Sequence, residues 1–323
     1  MSSITHRRLG SAGLSVSTVG LGTNNFGRRL DEAASAKVVH AALDAGITLI
    51  DTADVYGAGE SERHIGAALL GRREQAIVAT KFAAPMGEGT NDRGGSRSYV
   101  TAALEASLRR LQTDYIDLYQ MHFPDAGTPI EETLGALDDA VRAGKVRYLG
   151  SSNFSGWQVA DADWTARSHG LNRFVSAQNG YSLVSRAVER EVIPACLRFG
   201  QGMIPYSPLA GGLLTGKYRR GEPAPDGARL SEGSPAARVL TDRNFDTVEA
   251  LDAFAKERDI SLLHVAIGGL AAQPAVASVI AGATTAEQVL ANVEAGSWAP
   301  TREDLDALDQ IAPSQLPGGS RLT

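Results

Sequence analysis

Residues 48–56 read TLIDTADVY, a short apolar run that ends in two reactive side chains. Thr48, Leu49 and Ile50 favour a buried strand. The carboxyl group of Asp51 and the phenol of Tyr56 then follow, with a second acid, Asp54, between them. Such a strand end is typical of a parallel α/β sheet or barrel, because functional side chains collect at the carboxyl ends of its strands.

Seven further strand-like segments alternate with helical patterns along the chain. Apolar residues recur at helical spacing in 98–111 and in 130–143, and Gly144 is placed to end the second helix. Eight strands alternating with helices in 323 residues predict a (β/α)8 barrel formed by one domain over 1–323. A doubly wound sheet is the alternative. The predicted strands are 19–23, 48–53, 76–82, 115–122, 146–152, 173–178, 202–207 and 276–281.

Two stretches interrupt the alternation of strands and helices. Residues 6–18 predict a short β-hairpin ahead of the first barrel strand. Between the seventh and eighth strands, the loop 218–243 is rich in Gly, Pro and Arg, and helical patterns follow over 244–258 and 261–272. A loop of this length in a compact domain is usually functional or disordered, so we expect it to contact a ligand.

Composition limits the classes of partner. The net charge of −6 argues against nucleic acid or an anionic membrane as the main partner. The single cysteine, Cys196, permits no internal disulfide and indicates a reducing compartment. We find no signal peptide and no apolar run near the roughly 20 residues of a membrane span. These features predict a cytoplasmic protein with a small-molecule substrate, and they leave its oligomeric state open.

Polar side chains stand at several predicted strand ends. Taken alone, a lysine at a strand end, such as Lys81, is usually solvated. A histidine that follows apolar residues, such as His122, is usually a core residue whose hydrogen bonds are satisfied. Their shared edge with Asp51 and Tyr56 favours a functional interpretation. An ammonium group near Tyr56 lowers the pKa of its phenol, and a carboxylate beside Lys81 keeps that ammonium charged. His122 can donate a hydrogen bond to a carbonyl oxygen that gains negative charge.

These four groups can protonate an oxygen while another reagent attacks carbon. The sequence has no Cys cluster typical of a metal site and no Gly-x-Ser-x-Gly nucleophile motif. The natural reagent is therefore hydride from a reduced nicotinamide. A lyase that uses Lys81 as a Schiff base is a weaker alternative.

Several motifs in order resemble those of the aldo-keto reductase superfamily. They are GITLIDTADVYG, ATKF, LYQMH, YLGSSNF, IPYSPLAGGLLTGKY and AGATTAEQVLANV, and the similarity runs from about residue 7 to 296. The resemblance implies a (β/α)8 barrel that reduces an aldehyde or ketone with NAD(P)H. It implies a catalytic tetrad of Asp51, Tyr56, Lys81 and His122, with Tyr56 as the proton donor. The motifs also resemble potassium-channel β subunits, so a redox-sensing protein with little turnover is the alternative function.

The resemblance also implies a cofactor site. Ser152, Asn153 and Gln178 would bind the nicotinamide amide, and Tyr206 would stack on the ring. Thr284 to Glu287 resemble a capping box that starts the last cofactor-binding helix. The implied cofactor residues are Thr23, Asp51, Ser152, Asn153, Gln178, Tyr206, Ser207, Leu209, Lys217, Arg229, Gly282, Thr284, Gln288 and Asn292.

Two departures bear on cofactor choice. Ala291 stands where the family often has Glu, and 281–292 contains no Lys or Arg for a 2′-phosphate. The loop cations Lys217, Arg219, Arg220 or Arg229 could supply that charge instead, so we expect NADPH, with NADH as the alternative. The substrate pocket is expected to be formed by Asn24, Asn25, Phe26, Phe82, Met86 and Phe123.

Overall fold

The centre of the molecule is a barrel of eight parallel strands, as the sequence predicts. The computed structural model describes residues 4–225, 228–231 and 235–315. An antiparallel hairpin, β1 (His6–Arg8) and β2 (Ser15–Ser17), precedes the barrel at the predicted position. The barrel strands are β3 (Val19–Gly22), β4 (Leu49–Asp51), β5 (Ile77–Phe82), β6 (Ile116–Met121), β7 (Val146–Ser152), β8 (Phe174–Gln178), β9 (Gly202–Met203) and β10 (Val279–Gly282).

Helices alternate with the strands in the part of the chain that the structure describes. The predicted helices over 98–111, 130–143, 244–258 and 261–272 are all confirmed, and Gly144 ends the second of them with φ +76°. The helices are α1 (Glu32–Asp44), α2 (Glu60–Ala68), α3 (Arg97–Leu111), α4 (Ile130–Arg142), α5 (Gly156–Ser168), α6 (Val192–Phe199), α7 (Asp242–Glu257), α8 (Leu262–Ala271), α9 (Ala286–Gly296) and α10 (Arg302–Ile311).

The barrel closes between β9 and β10. The N–H of Met203 donates to the carbonyl of Ala275 at 2.8 Å, and the N–H of Ala277 donates to Met203 at 2.9 Å. The prediction of a seventh strand over 202–207 is wrong in its extent, because only Gly202–Met203 joins the ladder. Pro205 has no N–H to donate, and Tyr206 forms an isolated bridge with Gly180 instead.

The alternation of side chains along each strand places the polar groups. Leu49, Ala79 and Leu118 pack in a buried cluster with Leu9 and Val16 of the hairpin. Two residues further along β4, β5 and β6, on the same faces, lie Asp51, Lys81 and Gln120. An apolar layer thus supports a polar layer at the carboxyl ends of these strands.

The long segment between β9 and β10 is anchored by apolar contacts. Tyr218 and Leu230 are buried in a cluster with residues of α7, α8 and α10. The N–H of Leu230 donates to the hydroxyl of Tyr218 at 3.1 Å. This bond fixes the ends of 218–230 relative to one another. Residues 226–227 and 232–234 of the predicted loop lie outside the described residues.

None of the helices that the structure describes combines the length and the apolarity that a membrane span requires.

Candidate active site

A buried ion pair lies at the centre of the polar layer. The ammonium of Lys81 donates to Asp51 Oδ2 at 2.7 Å and to the carbonyl of Thr52 at 2.7 Å. The Lys81 side chain is fully buried, and that of Asp51 is 4% exposed. Burial alone lowers the pKa of Lys81, but Asp51 and Tyr56 outweigh it, so that the pKa is raised and the ammonium stays charged.

Two glutamines hold the other oxygen of the carboxylate. Gln178 Nε2 donates to Asp51 Oδ1 at 2.7 Å, and Gln120 Nε2 donates to it at 3.2 Å. Both glutamine side chains are buried. Asp51 therefore has no freedom to turn away from Lys81. Gln120 was not predicted as a site residue from the sequence. It stands two residues before His122, and in an extended chain this spacing places both side chains on the same face.

Tyr56 follows β4 in a tight turn above the ion pair. The Lys81 ammonium lies 5.1 Å from the centroid of its ring. Burial raises the pKa of Tyr56, and the charge of Lys81 lowers it by less, so that the net shift is upward. The expected lowering of this pKa by Lys81 is present, but burial outweighs it. Tyr56 is a protonated phenol at neutral pH, which is the form that can donate a proton.

His122 packs edge-on against Tyr56. Their ring centroids are 5.9 Å apart, with an angle of 79° between the planes. Burial, together with the charge of Lys81, lowers the pKa of His122 to about 3. The imidazole is therefore neutral, and its buried Nδ1 has no hydrogen-bond partner among the described residues. A neutral imidazole can donate one N–H to a carbonyl oxygen without carrying a charge of its own.

A second set of polar groups joins β7, β8 and the segment after β9. Asn153, with φ +60°, donates to the carbonyl of His122 at 2.9 Å and to Ser152 Oγ at 3.1 Å. The hydroxyl of Tyr206 donates to Asn153 Oδ1 at 2.8 Å. A Cβ atom on Gly180 would lie 3.3 Å from the Tyr206 ring, so a glycine there allows this close approach. These bonds fix the ring of Tyr206 beside the catalytic candidates.

A cavity of about 460 Å³ opens next to Tyr56. It contains most of the predicted cofactor residues in one continuous wall. Ser152, Asn153 and Gln178 are not part of that wall, and Asn153 reaches it through the hydrogen bond to Tyr206. The predicted residues on the wall are Thr23, Asp51, Tyr206, Ser207, Leu209, Lys217, Arg229, Gly282, Thr284, Gln288 and Asn292.

Three cations line this cavity, namely Arg29, Lys217 and Arg229. In the part of the chain that the structure describes, none of them forms an ion pair. Arg29 was missed at the sequence level, and its only signal was a basic pair in the loop after the first barrel strand. The cavity is thus suited to a ligand that carries several negative charges.

The other loop cations are placed elsewhere. Arg220 pairs with Asp242, Asp246 and Glu249 at the exposed start of α7. Arg219 is exposed and does not line the cavity. Of the four cations considered for the cofactor phosphate, only Lys217 and Arg229 are therefore available at the cavity.

The helix α9 begins at the far end of the cavity. Thr285 is its N-cap and accepts a hydrogen bond from the N–H of Gln288 at 3.3 Å, while Gln288 Oε1 accepts from the N–H of Thr284 at 2.8 Å. The predicted capping box over 284–287 is therefore not formed, because the N-cap is Thr285 and the Gln288 side chain binds the N–H of Thr284 instead of the N-cap N–H. Ala291 lies on the cavity wall and brings no carboxylate there.

The predicted substrate residues do not form one pocket. Asn24 and Asn25 line the cavity beside Tyr56. Phe26 and Phe82 are fully buried in the core, and Phe82 stacks on Tyr119 at 4.8 Å. Met86 is exposed outside the cavity lining, and Phe123 is 47% exposed and stacks on His122 at 4.6 Å.

Asp54 lies in the turn between β4 and Tyr56. Its side chain is buried, and neither carboxylate oxygen has a hydrogen-bond partner among the described residues. Its N–H donates to the carbonyl of Lys81 at 3.2 Å. Burial, reinforced by the charge of Glu62, raises the pKa of Asp54 to about 7.

The fold agrees with the comparisons to known proteins. A family model of the aldo/keto reductase family matches residues 18–313. The chain belongs to the aldo/keto reductase family. Members of that family are oxidoreductases that generally use nicotinamide cofactors.

Three similar proteins cover nearly the whole chain. "Uncharacterized oxidoreductase YrpG" of Bacillus subtilis is 38% identical over 96% of each chain. "Probable voltage-gated potassium channel subunit beta" of rice is 37% identical over 96% of this chain and 97% of its own. "Aldo-keto reductase YhdN" of B. subtilis is 36% identical over 94% of this chain and 92% of its own. The family resemblance in the motifs is thereby confirmed.

The buried carboxyl of Asp54 predicts a pH-dependent stability. Its raised pKa means that the folded protein keeps this proton between about pH 4 and 7 while the unfolded chain releases it. Stability is therefore lost as the pH rises through that range. Asp54→Asn should leave the melting temperature nearly unchanged at pH 4 and raise it by several degrees at pH 8, measured by calorimetry. Asp114→Asn, at an exposed acid, is the control, and an equal effect of Asp54→Asn at both pH values would contradict the prediction.

Proposed function

We propose that this protein is an NADPH-dependent reductase of aldehydes or ketones, with Tyr56 as the proton donor. The observation that carries the proposal is the buried Asp51–Lys81 ion pair beneath the phenol of Tyr56, at the wall of a cationic cavity. His122 completes the group from the next strand end. The four side chains come from separate positions in the chain and meet at one end of the barrel.

The cavity fits a dinucleotide cofactor in charge and in shape. Its three unpaired cations suit a pyrophosphate and a 2′-phosphate, and Arg and Lys are the usual phosphate partners. Gly212 has φ +100°, and a Cβ there would lie 2.9 Å from Lys217 Cε, so this glycine leaves room for the lysine. Tyr206 would lie against the nicotinamide, with Asn153 and Ser152 near its amide. Thr284, Gln288 and Asn292 would hold the adenosine end.

The residues of the site divide the chemistry between them. A bound reduced nicotinamide would supply hydride to the carbonyl carbon. Tyr56 would donate its proton to the carbonyl oxygen, which gains negative charge. Lys81 would stabilise the phenolate that remains, and Asp51 would keep Lys81 charged and in place. The neutral His122 would orient the carbonyl oxygen by a hydrogen bond.

A second candidate function is redox sensing by bound cofactor, with little turnover. The observation in its favour is the similarity to proteins named as probable channel β subunits. The same cavity and the same four side chains would serve that role. A multiple-turnover assay with NADPH and a panel of aldehydes distinguishes the two, because a sensor would stop after about one equivalent of product.

Removal of the phenolic hydroxyl tests the proposed proton donor. Tyr56→Phe keeps the ring, so we expect cofactor binding within about twofold of wild type and turnover lower by about 10²–10⁴, the usual contribution of general acid catalysis. Turnover is measured with a saturating aldehyde, and binding by cofactor fluorescence. Tyr115→Phe is the control, because Tyr115 directly precedes β6 and lies at the opposite end of the barrel from Tyr56. A Tyr56→Phe enzyme with a tenth of wild-type activity would show that another group donates the proton.

The cavity cations predict the cofactor preference. We expect a KM for NADPH at least about tenfold below that for NADH, because Lys217 and Arg229 add charge-assisted bonds to the extra phosphate. Lys217→Ala combined with Arg229→Ala should remove most of this preference. Arg220→Ala, whose guanidinium is paired at the surface of α7, should leave it unchanged. Equal KM values for both cofactors in the wild type would refute this assignment.

A further inference from the structure

A second cavity, of about 440 Å³, lies beside the proposed chemical centre. Its wall comes from the loop between β5 and α3 and from the loop between β6 and α4. Ala83, two residues after Lys81, and Phe123, next to His122, both belong to it. The cavity therefore begins where two of the proposed catalytic strands end.

The loop that carries Arg93 into this cavity is held by its own hydrogen bonds. The N–H of Gly94 donates to the carbonyl of Ala83 at 3.0 Å, and the N–H of Gly95 donates to Asp125 Oδ2 at 2.8 Å. On the other side, the N–H of Met86 donates to the carbonyl of Asp92 at 2.9 Å. Both neighbours of Arg93 are thus fixed, so its backbone position is defined before any ligand arrives.

Arg93 is a cation without a counter-ion in the part of the chain that the structure describes. No ion pair or hydrogen bond of its guanidinium group is present there, whereas Arg97, four residues on, pairs with Asp139. Among the described residues that line the cavity, Asp125 is the only one with a carboxylate. Its oxygens accept from Gly95, Gly127 and Thr128 at 2.8, 2.9 and 2.8 Å, so it serves the loop rather than Arg93.

The rest of the wall also favours an anion. Asn91 and Thr90 contribute exposed side chains that can donate hydrogen bonds. A planar guanidinium with such donors around it matches the two or three oxygens of a carboxylate or a phosphate.

Phe123 connects this cavity with the chemical centre. Its ring is stacked on His122, with 4.6 Å between the centroids and 10° between the planes. It is 47% exposed, so one side of the ring remains accessible. A substrate whose carbonyl group lies at Tyr56 and His122 can therefore extend past Phe123 towards Arg93.

We infer that the cavity around Arg93 is a subsite for the anionic end of the substrate, and that the preferred substrates are aldehydes or ketones bearing a carboxylate or a phosphate. Arg93 binds the anion and sets specificity without taking part in the proton or hydride transfer. This inference rests on the reductase activity proposed above. A neutral carbonyl compound of the same shape should be reduced with a similar kcat but a higher KM.

Matched acid and ester substrates test the inference. The acids are 4-carboxybenzaldehyde and the flexible 6-oxohexanoate, each compared with its methyl ester, and 4-formylphenyl phosphate distinguishes phosphate from carboxylate recognition. Arg93→Gln should raise KM for the anionic compounds by about tenfold or more and leave that of the esters within about twofold, because it removes a charge-assisted hydrogen bond. Arg97→Gln, at the start of α3 four residues after Arg93, is the matched control, and it should change neither.

The outcomes separate this inference from the proposed function. Reduction of acids and esters with equal KM in the wild type, or an equal effect of Arg93→Gln on both, would overturn the subsite while the reductase activity stands. If no aldehyde is turned over, the proposed function fails. Calorimetric binding of 4-(hydroxymethyl)benzoate and of its methyl ester, each to wild type and to Arg93→Gln with NADP⁺ present, then decides the subsite without turnover. Selective loss of acid binding supports it, and equal binding refutes it.

Discussion

The buried ion pair between Lys81 and Asp51 is the interaction on which the proposed site depends. An ammonium group inside a barrel is costly unless a counter-charge and hydrogen bonds replace its water. Asp51 and the carbonyl of Thr52 provide both at 2.7 Å, and Gln120 and Gln178 hold the carboxylate in turn. The pair is possible only because four strands of the barrel, β4, β5, β6 and β8, bring these side chains into one layer. Loss of either partner would leave an uncompensated charge in the interior.

The same layer explains why Tyr56 and His122 are both uncharged. Burial raises the pKa of the phenol and lowers that of the imidazole, so both are neutral at pH 7. Among the charges that favour a phenolate, Lys81 then has the largest effect. Asp54 is buried close by, and its burial raises the pKa of its carboxyl to about 7, so it keeps its proton up to about that pH. Tyr56, His122 and Asp54 are therefore all uncharged around the position proposed for the substrate carbonyl. With few charges nearby, the charge of Lys81 acts more strongly on the phenol of Tyr56.

Much of this arrangement was predictable from the sequence, and the exceptions have physical causes. The strand ends of TLIDTADVY, ATKF and LYQMH identified Asp51, Lys81 and His122, because a period of two in parallel strands leaves few choices. The direction in which the pKa of Tyr56 shifts could not be predicted from the sequence. Burial raises it and Lys81 lowers it, and the size of each effect depends on the three-dimensional structure. Phe26 and Phe82 were predicted for the substrate pocket but lie in the core. An aromatic side chain in a loop or at a strand end can face either the core or a pocket, and residue spacing does not decide between them. The positions of Arg29 and Arg93 at the cavities depend on the paths of their loops, and residue spacing does not define those paths.

Titration of the residue at position 56 tests the central claim most directly. A fluorinated tyrosine placed there titrates at a lower pH than tyrosine itself, so its pKa can be followed by ¹⁹F NMR while the protein stays folded. The account predicts that Lys81→Met raises this pKa by at least about one unit, because it removes the charge that favours the phenolate. Lys145→Met, which breaks the ion pair with Glu105 outside the site, should leave it unchanged. An unchanged or lowered pKa in Lys81→Met would show that Lys81 does not stabilise the phenolate.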